Sequence, residues 1–474
     1  MIQRILFLIC LACLLLVGCG TEGEMVAEAA PTAAQLPAAE TPIATETAQP
    51  TPTPNATPAP ATHTPTLPPP TNTPTTTPQP TETQIATATS SLAFPLSPQG
   101  AIFFLWSTVP PPDGSDPSLT TDLYVAYPGN SPDRWDVRPL IPDLFGFTLM
   151  KASPDMSYLA ILFSENEEQA WNEMRGVGLY NFEQKAFSNL TGSECCLYGF
   201  DWLPQSQAVL YSQVNNLFQI DIGEESSPSQ LTDDWLSQSG TEVFNPVISP
   251  DGNWVAVTLS SNQMAVYNMT TGHFTTLAEE VPYPSSHRVI TWSPNSQMLA
   301  FTSTFEQGLF VANMDSMAVV QLENVNTRCL PAWSSKTLLL AYTCDNSLFL
   351  WDAKTQVAEE TVNGDIVGIP VWSPNGSTIA VNVVIGEKKG FLLIDPNDGR
   401  QQFLDTTDVA APSLWPPAIW SPDGEWLLYL SEQPDQTGYY VMNKTNNIPY
   451  LVLNTTGLGT PHDLVWFHDV ASLP

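Results

Sequence analysis

Apolar residues recur along this chain in short runs punctuated by Pro, Asp, Asn and Gly, and one such pattern repeats. "WSPDGEWLLYLS" starts at Trp420, "WSPNGSTIAVNV" at Trp372, "WSSKTLLLAYTC" at Trp333 and "WSPNSQMLAFTS" at Trp292. "ISPDGNWVAVTL" starts at Ile248, and two weaker copies, "WLPQSQAVLYSQ" and "ASPDMSYLAILF", start at Trp202 and Ala152. In all seven an aliphatic residue stands seven positions after the first: Leu159, Val209, Val255, Leu299, Leu340, Ile379 and Leu427. Pro presets the backbone of a turn, Asp bonds nearby amides and Gly accepts the left-handed conformation. The flanking residues are β-formers, so each copy predicts strand, turn, strand.

A third apolar strand follows in every period, as "MAVYN" from Met264 or "GYYVMN" from Gly438, then a short turn and a more polar fourth strand. The copies start 50, 46, 44, 41, 39 and 48 residues apart. Four antiparallel strands per period of that length predict an all-β fold, a β-propeller of four-stranded blades. Eight third strands occur, the first from Leu123, but only seven hairpins. The missing inner strand is found in "HDLVWFHD", where Trp466 lies 46 residues after Trp420. Pairing of residues 462–467 with the strand from Ala101 predicts an eight-bladed ring closed by the C-terminal strand. Seven blades is the alternative, if the Ala152 or Trp202 copy belongs to an irregular insertion.

The repeated "WSPDG" hairpin with its apolar second strand resembles the TolB-like or WD-repeat-like propeller repeat, over nearly all of residues 95–474. That resemblance implies the fold; its relatives serve in periplasmic assemblies, peptidases and binding scaffolds alike. Periplasmic TolB has an additional α/β domain before its propeller, where this chain has a Pro/Thr-rich stretch.

The first residues differ from the rest. Arg4 is followed by an apolar run from Ile5 to Val17, too short to span a bilayer but suited to an export signal. Leu16, Val17, Gly18 and Cys19 resemble the lipobox of bacterial lipoproteins, which implies diacylation of Cys19; an ordinary cleaved signal is the alternative. The expected division is a signal peptide over 1–18, a disordered Thr/Pro-rich tether over 19–91 and the propeller over 92–474. The stretch from Gly20 to Ser91 has no Lys, Arg or aromatic residue and 15 of the 45 prolines, so it cannot bury enough apolar surface to fold. A protein anchored to a membrane of the cell envelope and facing outside the cytoplasm is expected.

Charge narrows the partners. Beyond the tether 13 Lys and Arg face 42 Asp and Glu, a net −29, which disfavours nucleic acid and anionic lipid headgroups. It allows Ca²⁺ or a cationic partner surface, with plain solubility as the alternative. No other cofactor is implied.

In a four-stranded blade the turns between strands one and two, and three and four, lie on one face. The remaining connections lie on the other, and both kinds are expected to be long, as in "SENEEQAWNEMRG" and "TDDWLSQSGTEV". They carry Trp171, Trp235, Tyr283 and Trp415 among Glu167, Glu168, Asp233 and Asp234, a composition suited to carbohydrate or protein ligands. Packing over neighbouring blades is the alternative for each aromatic residue.

Cys329 lies four residues before Trp333 and Cys344 eleven after it, so the hairpin sets them opposite one another, as a disulfide or as two buried thiols. No catalytic residue is assigned. No G-x-S-x-G elbow occurs, no Cys/His set has zinc spacing, and Asp155, Asp251 and Asp423 recur as turn formers. The expectation is a non-catalytic binding or scaffold module. The alternative is a propeller hydrolase or lyase acting on glycans or peptides through acids that meet in space.

Overall fold

Each repeat forms one four-stranded antiparallel sheet, and eight such sheets form a propeller. The computed structural model describes residues 98–467 except 108–119, 146–148, 167, 170–173, 193, 196, 224–225, 233–240, 262, 279–289, 304–307, 324–328, 365, 367, 408–411, 413–417, 434–435, 447 and 457–461. Strands are lettered A to D from the innermost outward. Blade 2 runs Met150–Ala152, Tyr158–Phe163, Met174–Asn181 and Ala186–Asn189. Blade 3 is Leu197–Trp202, Ala208–Gln213, Asn216–Asp221 and Ser229–Gln230, and blade 4 is Val243–Ile248, Trp254–Leu259, Gln263–Asn268 and His273–Ala278. Blades 5 to 8 start at Ile290, Leu330, Val371 and Ile419 with the same order.

Blade 1 is built from both ends of the described chain. Its strands B, C and D are Ala101–Ser107, Thr120–Pro128 and Trp135–Phe145, and its strand A is His462–Phe467. Ala101 pairs with Phe467 and Ile102 with Trp466. Trp466 is buried, and its Nε1 donates to the Gln99 carbonyl at 2.9 Å. Eight blades and the C-terminal closure are as expected from the repeat.

Strand periodicity explains the core. Alternate residues point to opposite faces of a sheet, and in a propeller both faces meet a neighbouring blade. Ile102 and Phe104 therefore pack against blade 8, whereas Phe103 and Leu105 pack against blade 2. Eight apolar clusters result, one at each interface around the ring. The first residue of each repeat is the anchor of strand A and faces the preceding blade. Nε1 of Trp202, Trp292, Trp372 and Trp420 donates to the carbonyls of Lys151, Val247, Ala332 and Val371, at 2.9 to 3.1 Å. Each acceptor stands one residue before the preceding blade's own anchor.

The Ser-Pro-Asp-Gly turn between strands A and B is a small hydrogen-bonded box. In blade 2, Met156 N donates to Ser153 O at 2.9 Å, Ser153 Oγ donates to Asp155 Oδ1 at 2.7 Å, and Tyr158 N donates to Ser153 Oγ at 3.0 Å. Gly252, Gly376 and Gly424 take φ near 70 to 76° at the fourth position after the anchor, and Met156, Ser206 and Ser296 adopt φ of 60 to 62° there despite their side chains. Asp155 N donates to Ser206 Oγ of blade 3, and Asp251 N to Ser296 Oγ of blade 5, so the turns also join blades. A second box closes the C–D turns: Asn181, Asn268, Asn313, Asp352, Asp395 and Asn443 each accept an amide two or three residues on.

One expectation needs correction. The connections between strands B and C are not uniformly long; those of blades 3, 6 and 7 are two-residue turns. Asp345 and Asn346 have φ of 47° and 64°, both left-handed, as in the hairpin turn whose twist matches the strands. The extended connections are those from strand D to the next strand A, together with the B–C connections of blades 1 and 2.

Two outcomes are expected. Truncation after Gly459 removes the inner strand of blade 1 and uncovers the Ala101–Ser107 edge. It is expected to give insoluble or cooperatively destabilised protein, read by thermal melting, while deletion of residues 22–85 leaves the transition in place; a truncated chain that melts like the whole one overturns the closure.

For the turn carboxylates, burial of Asp155 and Asp251 pushes their pKa up, but hydrogen bonds from Ser153, Ser157 and Ser206 and from Ser249, Asn253 and Ser296 outweigh it, leaving both below 3.8. Groups depressed on folding contribute stability above the unfolded value, and lose it as pH falls through the folded one. Asn295 and Asn375 accept the same serine hydroxyl bond in blades 5 and 7. The double variant Asp155→Asn with Asp251→Asn is therefore expected to lose less melting temperature than the parent on acidification from pH 5 to about 3.

Candidate binding mouth

The residue before each anchor points toward the following blade, at the inner wall of the ring. Read around blades 1 to 8 these residues are Val465, Lys151, Asp201, Val247, Thr291, Ala332, Val371 and Ile419. Lys151 and Asp201 are the charged pair in that series. Lys151 Nζ lies 3.0 Å from Asp201 Oδ1, and Asp201 Oδ2 accepts the Ile248 amide at 2.9 Å. One carboxylate thus ties blade 2 to blade 4 across blade 3. The Lys151 ammonium also lies 5.9 Å from the centroid of the Phe200 ring. The two side chains are 23% and 19% exposed, so the pair is only partly shielded from water.

Three residues before the anchor, strand A is irregular in three blades. Asn245 of blade 4 and Asp463 of blade 1 both have φ of 48°, and the ladder register shifts beside each of them. In blade 3 the register shifts next to Gly199, where a Cβ would come within 3.3 Å of Asn245 Cα. Bulges of this kind re-aim side chains and gather near functional sites. One residue earlier in blade 3, Tyr198 donates its hydroxyl to Glu242 Oε1 at 3.0 Å and its ring lies 4.6 Å from that of Phe244. Glu242 is itself fixed, because its amide donates to Ser260 Oγ and its carbonyl accepts the Ser260 amide, both at 2.9 Å.

Tyr198, Gly199, Glu242, Asn245 and Asp463 stand in blades 1, 3 and 4 near the start of strand A, where the D–A connections enter, whereas Lys151 and Asp201 stand at the other end of strand A, beside the A–B turn. The corresponding positions of blades 6 and 7 are Leu330, Ala332, Ile369 and Val371. Among the described residues the inner strands of blades 1 to 4 therefore carry carboxylates, an ammonium, an amide and a phenol at these positions, and those of blades 6 and 7 carry apolar side chains. Such a wall can donate and accept hydrogen bonds to hydroxyls or peptide groups without carrying a bare charge at Lys151.

Of the residues expected at the ligand face, Glu168 is exposed in the B–C connection of blade 2. Trp171, Trp235, Tyr283, Trp415, Glu167, Asp233 and Asp234 lie outside the described residues, as does Cys19. Cys329 and Cys344 are joined by a disulfide with Cα atoms 4.6 Å apart. Among the described residues no group of His, Cys, Asp or Glu could hold a metal ion. Sequence reasoning missed Lys151, Asp201, Tyr198, Glu242, Asn245 and Asp463. The first two had a signal: they are the charged entries in a column of otherwise uncharged residues, one position before the anchor.

No family model and no curated protein matches the chain. Solved structures similar to it include dihydro-heme d1 dehydrogenase NirN in complex with DHE, at 13% identity and a TM-score of 0.50, covering 79% of this chain and 76% of that one. Oligogalacturonate lyase in complex with manganese is 12% identical with a TM-score of 0.44, covering 73% and 98%. TolB from Acinetobacter baumannii is 13% identical with a TM-score of 0.33, covering 68% and 82%. At these identities the likeness is one of fold.

The inner-wall pair yields a graded expectation. Asp201→Ala leaves the half-buried Ile248 amide without its acceptor, a loss of about 1 to 3 kcal/mol. Lys151→Met removes a partly exposed ion pair and the distant contact with the Phe200 ring, and is expected to cost less than about 1 kcal/mol. Chemical denaturation of both variants checks the order; a Lys151 variant that loses as much as Asp201→Ala overturns the assignment of Asp201 as the inter-blade tie.

Proposed function

We propose that this chain is an exported, lipid-anchored propeller that binds a protein or carbohydrate ligand at the mouth where the D–A connections meet the inner strands, and that it performs no chemistry there. The observation that carries this reading is the concentration of polar side chains and strand irregularities in one half of one mouth. The opposite face is occupied by the two kinds of hydrogen-bonded turn, which leave little side-chain chemistry unspent. Tyr198 sets a phenol against a fixed carboxylate, the combination of apolar body and polar tip that suits sugar rings and peptide backbones. The negative balance of the chain favours a neutral or cationic ligand. The disulfide suits an oxidising compartment outside the cytoplasm, and Cys19 supplies the anchor.

Full-length protein in detergent, screened against a glycan array and by crosslinking to envelope proteins, tests the reading. Tyr198→Ala and Glu242→Gln are expected to weaken the captured ligand about tenfold or more, or about 1.4 kcal/mol, with unchanged melting. Equal binding by both variants, or turnover of the bound glycan or peptide, overturns it. Radiolabelled fatty acid is expected to enter the parent and not Cys19→Ser.

A further inference from the structure

Blade 6 departs from the devices that hold strand A in the other blades. Its A–B turn reads Ser334, Ser335, Lys336, Thr337, so the Pro, the Asp or Asn and the Gly are all replaced. None of the four residues has a positive φ, unlike the corresponding turns of blades 2, 3, 4, 5, 7 and 8. Elsewhere the serine hydroxyl accepts the amide five residues on, as from Tyr158, Trp254, Met298, Thr378 and Trp426. Ser334 Oγ instead takes the Lys336 and Thr337 amides at 3.3 and 3.2 Å. The anchor is weakened too. Trp333 Nε1 is buried without an acceptor among the described residues, while four other anchor tryptophans reach the preceding blade.

The same hairpin carries the disulfide. Leu330 pairs with Thr343 in the A–B ladder, which places Cys329 and Cys344 opposite each other at the open end of the hairpin. Both are buried, at 0% and 3% exposure, within the cluster that includes Trp333 and Trp351. The strand so held, Leu330–Trp333, serves both neighbours: Cys329 O accepts Thr302 Oγ1 of blade 5 at 2.7 Å, and Ala332 O accepts Trp372 Nε1 of blade 7 at 2.9 Å.

We propose that the Cys329–Cys344 disulfide takes the place of the missing turn box as the clamp on strand A of blade 6, making this blade redox-sensitive. A dithiol reductant is the co-reactant. Its thiolate attacks one sulfur and breaks the S–S bond, and its second thiol displaces the mixed disulfide. Two electrons and two protons pass to the protein, which is left with two thiols, while the reductant leaves as a cyclic disulfide. Because both sulfurs are buried, attack follows local opening of the hairpin. Reduction then loosens the contacts to Thr302 and Trp372 and leaves the boxed turns of the other blades in place.

Hydrogen exchange read by mass spectrometry, on the full chain oxidised and after dithiothreitol, tests this. Exchange in residues 330–344 is expected to rise about tenfold or more on reduction, with residues 419–430 unchanged. Installing the missing turn with Ser335→Pro, Lys336→Asp and Thr337→Gly is expected to recover at least half of that rise on a logarithmic scale, and to change the oxidised protein little. If the triple variant fails to fold, Lys336→Asp alone carries the comparison with a smaller recovery in the same direction. No rise on reduction, an equal rise throughout the ring, or an equal effect of the new turn in both redox states overturns the proposal.

Discussion

The structure depends on a demand made by every blade: both faces of its sheet are apolar, and both must be covered. Val209 and Tyr211 of blade 3 pack toward blade 2, and Leu210 toward blade 4, within one strand. No open arrangement of such sheets covers the outermost faces, so closure of the ring is a condition for burying any of them fully. Blade 1 supplies that closure with a strand from the C-terminal end, locked by the buried Trp466. The anchors serve the same demand at closer range, since the indoles of Trp202, Trp292, Trp372 and Trp420 both fill the gap to the preceding blade and bond its inner strand.

Satisfying that demand spends the two faces of the propeller differently. On one, the A–B and C–D turns hold their Asp, Asn and Ser side chains in local hydrogen bonds, and some of those bonds reach the neighbouring blade. On the other, the chain must travel from the outer edge of one sheet to the inner edge of the next, so connections are longer and strand A enters with freedom to bulge. Asn245 and Asp463 use that freedom. Side chains available to a ligand therefore collect at this mouth for reasons of topology alone.

The architecture was legible because it is written in a repeat. Seven aligned hairpins and the distance from Trp420 to Trp466 gave strand order, blade number and closure, and the spacing about Trp333 placed Cys329 against Cys344. The inner wall was not legible in the same way. Which face of strand A looks to which neighbour is decided by the ring, so Lys151 and Asp201, 50 residues apart, meet only once blades 2 and 3 are packed. Tyr198 and Glu242 are likewise 44 residues apart and join two blades. Loop length was misjudged for blades 3, 6 and 7 because Val214–Asn215, Asp345–Asn346 and Gly386–Glu387 close tight hairpins without a Pro to announce them.

The quality of each repeat copy also has a physical meaning. A ring with many equivalent anchors can lose the indole at a few of them, because the neighbours on either side remain held. Three consecutive copies, those at Ala152, Trp202 and Ile248, lack an anchoring indole or the Ser-Pro of the turn. These are the copies whose strands A carry Lys151, Asp201 and Asn245. Where the anchor is Ile248, its amide goes to the Asp201 carboxylate, so a charged side chain has taken over part of the inter-blade tie. In these three copies the departures from the pattern leave room for side chains that the pattern itself would exclude, whereas blade 6, altered in its turn, keeps apolar residues at Leu330 and Ala332.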